Sequence, residues 1–152
     1  MKCASVVRGI KETKKRTVMI KEDYVSLETA KLLKEKGFDE KCFQYWHEDD
    51  NELVHSQSMH PIQNISNPCF FGPAAPTLQM AMKWLRENHN LYVTSVPNGI
   101  GENVFYMSIY RKYDYGWTHI SDCFDEEYKE AEFSSPEEAC EAGIKYCLEK
   151  LI

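Results

Sequence analysis

The sequence has few of the patterns by which metal-binding and catalytic proteins are recognised. None of the six cysteines belongs to a Cys-x-x-Cys pair, and the five histidines show no helical i, i+4 spacing. Those spacings are typical of common zinc sites. The seven glycines form neither a Gly-x-Ser-x-Gly elbow nor a phosphate-binding loop that ends in Lys and Ser or Thr. The sequence therefore predicts no metal, no cofactor and no enzymatic activity.

Long apolar runs are also missing. No stretch approaches the ~18 consecutive apolar residues that a membrane-spanning helix needs. Residues 1–8 lack the apolar stretch of a secretory signal. Without export to an oxidising compartment, the six cysteines are expected to stay reduced. We therefore expect a cytoplasmic protein that makes no membrane contact.

Charge is unevenly distributed along the chain, whose net charge is −6. Residues 1–21 carry seven lysines and arginines against a single acid, Glu12, so their net charge is +6. Residues 122–141 carry nine acids against Lys129 alone, and we interpret the carboxylates between 122 and 132 as a solvated acidic stretch.

The basic N-terminal segment, residues 1–23, contains β-branched runs at 5–7 and 17–20, and we interpret it as a hairpin. We expect it to lie over an acidic surface of its own fold or of a sister subunit, which leaves a homo-oligomer open. The alternative is a nucleic-acid-binding segment that uses Lys14, Lys15 and Arg16. The net negative charge of the chain disfavours nucleic acid at long range.

Three helices are predicted from capping residues and apolar periodicity. Residues 27–36 follow Ser26, an N-cap candidate, and end before a glycine. Residues 77–88 carry an apolar stripe after Pro76. The last helix begins with the capping box at 135–138 and continues to the C-terminus, and the apolar face that it is expected to bury consists of Cys140, Ile144, Leu148 and Leu151.

Aromatic and β-branched runs predict strands at 42–47, 53–56, 91–96, 104–112 and 117–122. Residues 24–152 are therefore expected to form a single α+β domain. We predict an antiparallel sheet of five or more strands, with the three helices mainly on one face.

Residues 57–75 break all periodicity, yet they include Phe70 and Phe71. A connection of this length is usually functional or disordered. The segment is either a lid over a ligand or a structural strap that covers the core, and the sequence leaves both readings open.

Aromatic and basic residues alternate on the strands at 104–112 and 117–122. Rings and cations together are what base stacking and phosphate contact require, although ordinary cross-strand aromatic pairs give the same pattern. We predict that a ligand or partner contacts the loop at 57–75 together with Tyr110, Arg111 or Trp117. The candidate binding residues are Phe70, Phe71, Tyr110, Arg111, Trp117 and His119.

Three stretches resemble one family: residues 25–39, the helix that begins near residue 75, and the closing run 133–144. The chain is similar there to small uncharacterised proteins of gut bacteria, their phages and their mobile elements. The resemblance covers about residues 24–152, and the segment before it is longer than expected for the family. It implies an intracellular accessory protein that binds a target and blocks it, and it supplies no functional residues.

The expected function is therefore that of a non-enzymatic intracellular binding protein. Its partner would be a host protein or a nucleotide-like small molecule, and its action would be to inhibit or sequester a component of host defence. The alternative is a nucleic-acid-binding accessory protein that uses the basic N-terminal segment.

Overall fold

The computed structural model describes residues 20–56, 60–66, 68, 71–99, 103–120, 124–129 and 131–152. The hairpin predicted within residues 1–23 falls almost wholly outside these ranges. Lys14, Lys15, Arg16 and Phe70 also lie outside them. Within the described ranges, no helix combines the length and apolar content needed to cross a bilayer.

The first helix, α1 (Leu27–Glu35), forms where local signals start and stop it. The Ser26 side chain accepts a hydrogen bond from the Thr29 backbone N–H at 3.2 Å, which satisfies a donor left free by the first turn. Gly37 has a φ of +87°, and the Phe38 N–H then donates to the Leu33 carbonyl at 2.9 Å. This left-handed glycine ends the helix and returns the buried Phe38 to the core.

Two short strands follow as a hairpin. Strand β1 (Gln44–His47) pairs antiparallel with β2 (Glu52–His55). The other edge of β1 is occupied by residues 71–75, which we call the strap. The Trp46 N–H donates to the Pro73 carbonyl at 3.0 Å, and the Ala75 N–H donates to the Gln44 carbonyl at 2.9 Å.

The second helix, α2 (Leu78–His89), begins at Thr77, whose side chain accepts a hydrogen bond from the Met80 N–H at 3.2 Å. It ends at Asn90, which adopts the left-handed conformation with a φ of +57°. The chain then enters the larger sheet directly.

Three antiparallel strands make up that sheet in the order of the sequence. They are β3 (Leu91–Pro97), β4 (Phe105–Tyr113) and β5 (Gly116–His119). The register of the first pair places Val93 opposite Ile109. Both side chains are buried, so this face of the sheet is turned toward the core.

Two more helices complete the described fold: α3 (Glu126–Lys129) and α4 (Pro136–Tyr146), the second of which continues into a π-turn at Cys147–Leu151. Helix α4 packs across β3 and β4, and α2 packs beside it against β3. The side chains that are fully buried between these layers include Leu33, Phe38, Leu85, Leu91, Ile109, Ile144 and Leu148.

The prediction for the last helix holds for two of the four residues of its inner face. Ile144 and Leu148 are fully buried, as expected. Cys140 and Leu151, nearer the two ends of the predicted face, are only partly buried.

The α+β class holds, but the predicted architecture is wrong. The strands form a two-stranded and a three-stranded sheet in place of one sheet of five or more. The strap takes the backbone groups on the outer edge of β1, so no strand of the larger sheet can pair there. The described residues also form four helices in place of three, because α3 develops within the acidic stretch.

Candidate ligand-binding site

The face of the larger sheet that turns away from α4 carries an aromatic cluster. The register pairs Tyr92 with Tyr110 and Tyr110 with His119, and residues paired in this way point to the same face. Trp117 joins them from β5, where it pairs with Lys112. We call Tyr92, Tyr110, Trp117 and His119 the aromatic face.

The rings of the aromatic face contact one another but remain accessible. Ring centroids lie 6.2 Å apart for Tyr92 and Tyr110, 6.0 Å for Tyr92 and Trp117, and 4.8 Å for Tyr110 and His119. Tyr92 is 40% exposed and Trp117 is 45% exposed. Large rings held in fixed positions yet open to solvent give a surface on which a flat ligand can stack.

Arg86 lies at the rim of this cluster, on the last turns of α2. Its guanidinium carbon lies 6.0 Å from the centroid of the Tyr92 ring, within the range of a cation–π contact. No carboxylate of the described residues forms an ion pair with Arg86. Arg86 is partly buried, and a guanidinium with no acidic partner among these residues is suited to bind an anion.

These groups enclose a shallow cavity. Its volume is about 410 Å³, and it is lined by Arg86, Tyr92, Tyr110 and Trp117. Three aromatic rings and one arginine therefore meet in a space that a planar, anionic molecule could occupy.

The structure brings together only some of the residues that the sequence singled out. Tyr110, Trp117 and His119 share the aromatic face. Arg111 lies on the opposite side of β4, where its guanidinium donates to the Leu151 carbonyl at 3.4 Å. Phe71 belongs to the strap and stacks on His47 of β1, with the ring centroids 5.9 Å apart.

Two residues of the cavity were missed by the sequence reasoning. Tyr92 alternates with the buried Leu91 and Val93, so the period of two along β3 already placed its ring on the outer face. Arg86 carried no comparable signal, because its proximity to Tyr92 depends on how α2 lies beside the sheet.

A serine and a histidine also meet on this face, since the Ser108 hydroxyl lies 2.8 Å from His119 Nε2. A Ser–His pair can activate a nucleophile. Ser108 is only 4% exposed, however, so its hydroxyl is not accessible to a substrate. The pair joins β4 to β5 and positions the imidazole beside Tyr110.

Other chemistry in the described part of the chain is structural. No group of three His, Cys, Asp or Glu side chains is arranged there to hold a metal ion. Burial raises the pKa of the Cys42 and Cys147 thiols to about 12, so neither is an activated nucleophile at neutral pH.

Comparisons with known proteins give no relative from which a role could be transferred. No family model, no curated protein and no solved structure matches the chain. A function for this chain is therefore proposed from the geometry of the aromatic face.

Proposed function

We propose that this chain is a non-enzymatic binding protein that holds a nucleotide-like small molecule on the aromatic face. One observation carries the proposal: Tyr92, Tyr110 and Trp117 surround a cavity whose rim holds Arg86, which forms no ion pair with a carboxylate of the described residues. The base of a nucleotide stacks on aromatic rings, and its phosphate accepts hydrogen bonds from a guanidinium. The Arg86 guanidinium lies over the Tyr92 ring at the rim, so rings and a cation adjoin the same cavity.

The size of the cavity favours a small molecule over a host protein. Its volume of about 410 Å³ falls within the roughly 300–1,000 Å³ of small-molecule sites. A protein partner would need a larger complementary surface, on the order of 800 Å² from each side.

Sequestration is the action that this proposal assigns to the protein. Among the described residues, the Ser108 hydroxyl and the thiols of Cys42 and Cys147 are buried, so none of the three is presented to a bound ligand. A protein that binds without converting its ligand lowers the free concentration of that ligand. The family resemblance gives this a setting, in which the chain acts in the cytoplasm and withdraws a nucleotide signal from host defence.

Calorimetric titration of the full chain with the common nucleosides and their 5′-monophosphates tests the proposal. We expect at least one monophosphate to bind, and Trp117→Ala to weaken its binding about tenfold, since base stacking contributes roughly 1–3 kcal/mol per ring. Tyr115→Ala is the matched control, because Tyr115 is 80% exposed and does not line the cavity. Binding that Trp117→Ala and Tyr115→Ala weaken equally would place the ligand elsewhere.

The alternative function, nucleic-acid binding by the basic N-terminal segment, makes a different prediction. Charge reversal at Lys14, Lys15 and Arg16 should then abolish binding of single strands or duplexes, and affinity should fall steeply with added salt. Under the favoured proposal the same substitutions leave nucleotide binding on the aromatic face unchanged.

A further inference from the structure

A second cavity adjoins the first and shares two lining residues with it. This groove has a volume of about 720 Å³, and Arg86 and Tyr92 line both spaces. The groove runs between α2, β3 and the first turn of α4. A ligand that stacks on the aromatic face and extends past Arg86 would therefore reach the groove.

The groove follows the edge of β3 that does not pair with β4. Two hydrogen bonds just beyond the ends of β3 fix the alternation: the Lys112 N–H donates to the Asn90 carbonyl at 2.9 Å, and the Asn98 N–H donates to the Val104 carbonyl at 2.8 Å. Even-numbered residues of β3 therefore direct their main-chain groups toward β4, and Val93 directs its own toward the groove. The side chains of Thr94 and Gln79, which line the groove, can bond the polar edge of a base or a sugar.

Charge changes sign along the groove. Lys83 and Arg86 of α2 line the part of the groove nearer the aromatic face. Lys83 forms an ion pair with Glu87, with 3.8 Å between Nζ and Oε1. Asp23 lies at the other end, where its carbonyl accepts from the Leu78 N–H at 2.9 Å. Leu78 and Arg86 are about 12 Å apart along α2, from the rise of ~1.5 Å per residue.

The far end of the groove is acidic despite the presence of one lysine. Glu22, Asp23 and Glu137 line it together with Lys21. A second or third phosphate placed there would meet carboxylates. An amino group of adenine, guanine or cytosine would find acceptors instead.

We infer that the ligand is a dinucleoside monophosphate, in which a single phosphodiester joins two nucleosides. The inference rests on the proposed function and extends it. The first base stacks on Tyr92, Tyr110 and Trp117, the bridging phosphate accepts hydrogen bonds from Arg86, and the second nucleoside occupies the groove. The single anionic group then lies at Arg86, which borders both cavities, and the second base reaches the acidic end.

Titration of the full chain with a matched series of compounds tests this assignment. The series consists of adenosine, adenosine monophosphate, adenosine triphosphate, the dinucleoside monophosphate of adenosine, and its tetramer and hexamer, with the guanosine, cytidine and uridine sets in parallel. We expect the dinucleoside monophosphate of at least one base to bind ten times more tightly than its monophosphate. The tetramer and the hexamer should then bind no more tightly than the dinucleoside monophosphate.

Substitutions separate the two halves of the site. Gln79→Ala, together with Asp23→Asn, should remove most of the dinucleoside advantage and leave monophosphate binding unchanged. Arg86→Ala should weaken both compounds about tenfold or more, and Arg86→Lys should restore part of the loss because it keeps the charge without the planar fork. Glu52→Gln, on the other sheet, is the control for loss of a surface carboxylate.

Each contrary outcome has a distinct meaning. Equal affinities for the monophosphate and the dinucleoside would overturn the groove assignment and leave the proposed function standing. Tightest binding of the triphosphate would overturn it as well, since phosphates would then enter the groove. Affinity that continues to rise through the hexamer would mean a strand-binding surface in place of a bounded site. Binding of no compound in the series would contradict the proposed function itself.

Discussion

Gly143 of α4 lies directly against Val93 of β3. A Cβ atom placed on Gly143 would come within 2.6 Å of Val93 Cγ1, closer than real carbon atoms approach. The absence of a side chain at this one position allows the helix to lie close to the sheet.

Gly143→Ala is therefore expected to destabilise the fold by about 1–2 kcal/mol. Overpacking a well-filled site costs roughly 1–3 kcal/mol, and alanine recovers up to ~1 kcal/mol through its higher helix propensity. Urea denaturation measures the change. Gly99→Ala is the control, because nothing lies within 4 Å of a Cβ at Gly99.

The same contact can be isolated with a double-mutant cycle. Val93→Ala removes the obstructing methyl group, so Gly143→Ala should cost less in that background than in the natural chain. Strictly additive effects would mean that the strain of Gly143→Ala arises elsewhere.

Ile144 lies on the face of α4 that packs against the sheet. It is fully buried, and Ile144→Ala should lower the free energy of unfolding by about 2–4 kcal/mol through the cavity that it leaves. Leu53→Ala, at a position 38% exposed on β2, should cost much less. A loss below about half a kcal/mol at Ile144 would contradict the packing described for α4.

Glu141 joins α1 to α4 through one carboxylate oxygen. Its Oε1 accepts hydrogen bonds from the Ser26 N–H at 3.0 Å and the Ser26 hydroxyl at 2.7 Å, and from the buried Thr29 hydroxyl. We expect Glu141→Ala to destabilise the chain by about 1–3 kcal/mol, because bonded polar groups lose their partner. Glu35→Ala on the exposed side of α1 should be nearly neutral, and equal effects of the two substitutions would contradict this role.

Asp39 links the end of α1 to residues 65–66. Its carboxylate accepts hydrogen bonds from the Ser66 hydroxyl and the Ile65 N–H, and these bonds lower the pKa of Asp39 from its usual 3.8. Because the pKa of Asp39 is lower in the folded state, its ionised carboxylate stabilises the fold above pH 3.8. This stabilisation is lost as the pH falls through the pKa of Asp39 in the folded protein. The amide of Ile65 should therefore lose protection from hydrogen exchange as the solution is acidified.

Asp39→Asn is the control for that titration. It should remove the acid-dependent step at Ile65 and leave the exchange of core amides such as that of Ile109 unchanged. A step of the same size in the variant would assign the titration to another carboxyl group.

The thiols of the described residues should differ in reactivity. Burial raises the pKa of Cys42 and Cys147 to about 12, so the thiolate fraction of each is very small at pH 8. Cys140 is only half-buried, and we expect it to be alkylated first. Peptide mapping by mass spectrometry after a timed exposure to iodoacetamide gives the order. Early labelling of Cys147 would contradict the packing of the π-turn.

Helix ends could be predicted because their signals are local. Ser135 caps α4 as its sequence indicates, with the Glu138 N–H donating to its hydroxyl at 3.1 Å. The Glu138 carboxylate accepts hydrogen bonds from the Ser134 hydroxyl at 2.7 Å and the Ser134 N–H at 3.0 Å, a detail of side-chain rotation that the spacing does not determine. Gly37 ends α1 for a reason equally local, since few other residues adopt its φ of +87°.

The division into two sheets and the cavity could not be predicted in the same way. The strap bonds β1 through main-chain groups, which every residue except proline carries in the same form, so no side-chain pattern marks it. Arg86 meets Tyr92 only because α2 lies beside β3. The two-residue period of a strand places Tyr110 and Arg111 on opposite faces of the sheet. It does not indicate which of the two faces packs against the helices.

The strap has a consequence for how this protein can diverge. The hydrogen bonds of the strap to β1 use the main chain, but the side chains of Pro73, Ala74 and Ala75 are buried and are therefore constrained by packing. Gly72 is constrained for another reason, since a Cβ there would come 1.8 Å from the Trp46 carbonyl oxygen. Among homologues, position 72 should therefore remain glycine, while the residue at the exposed position 71 should vary.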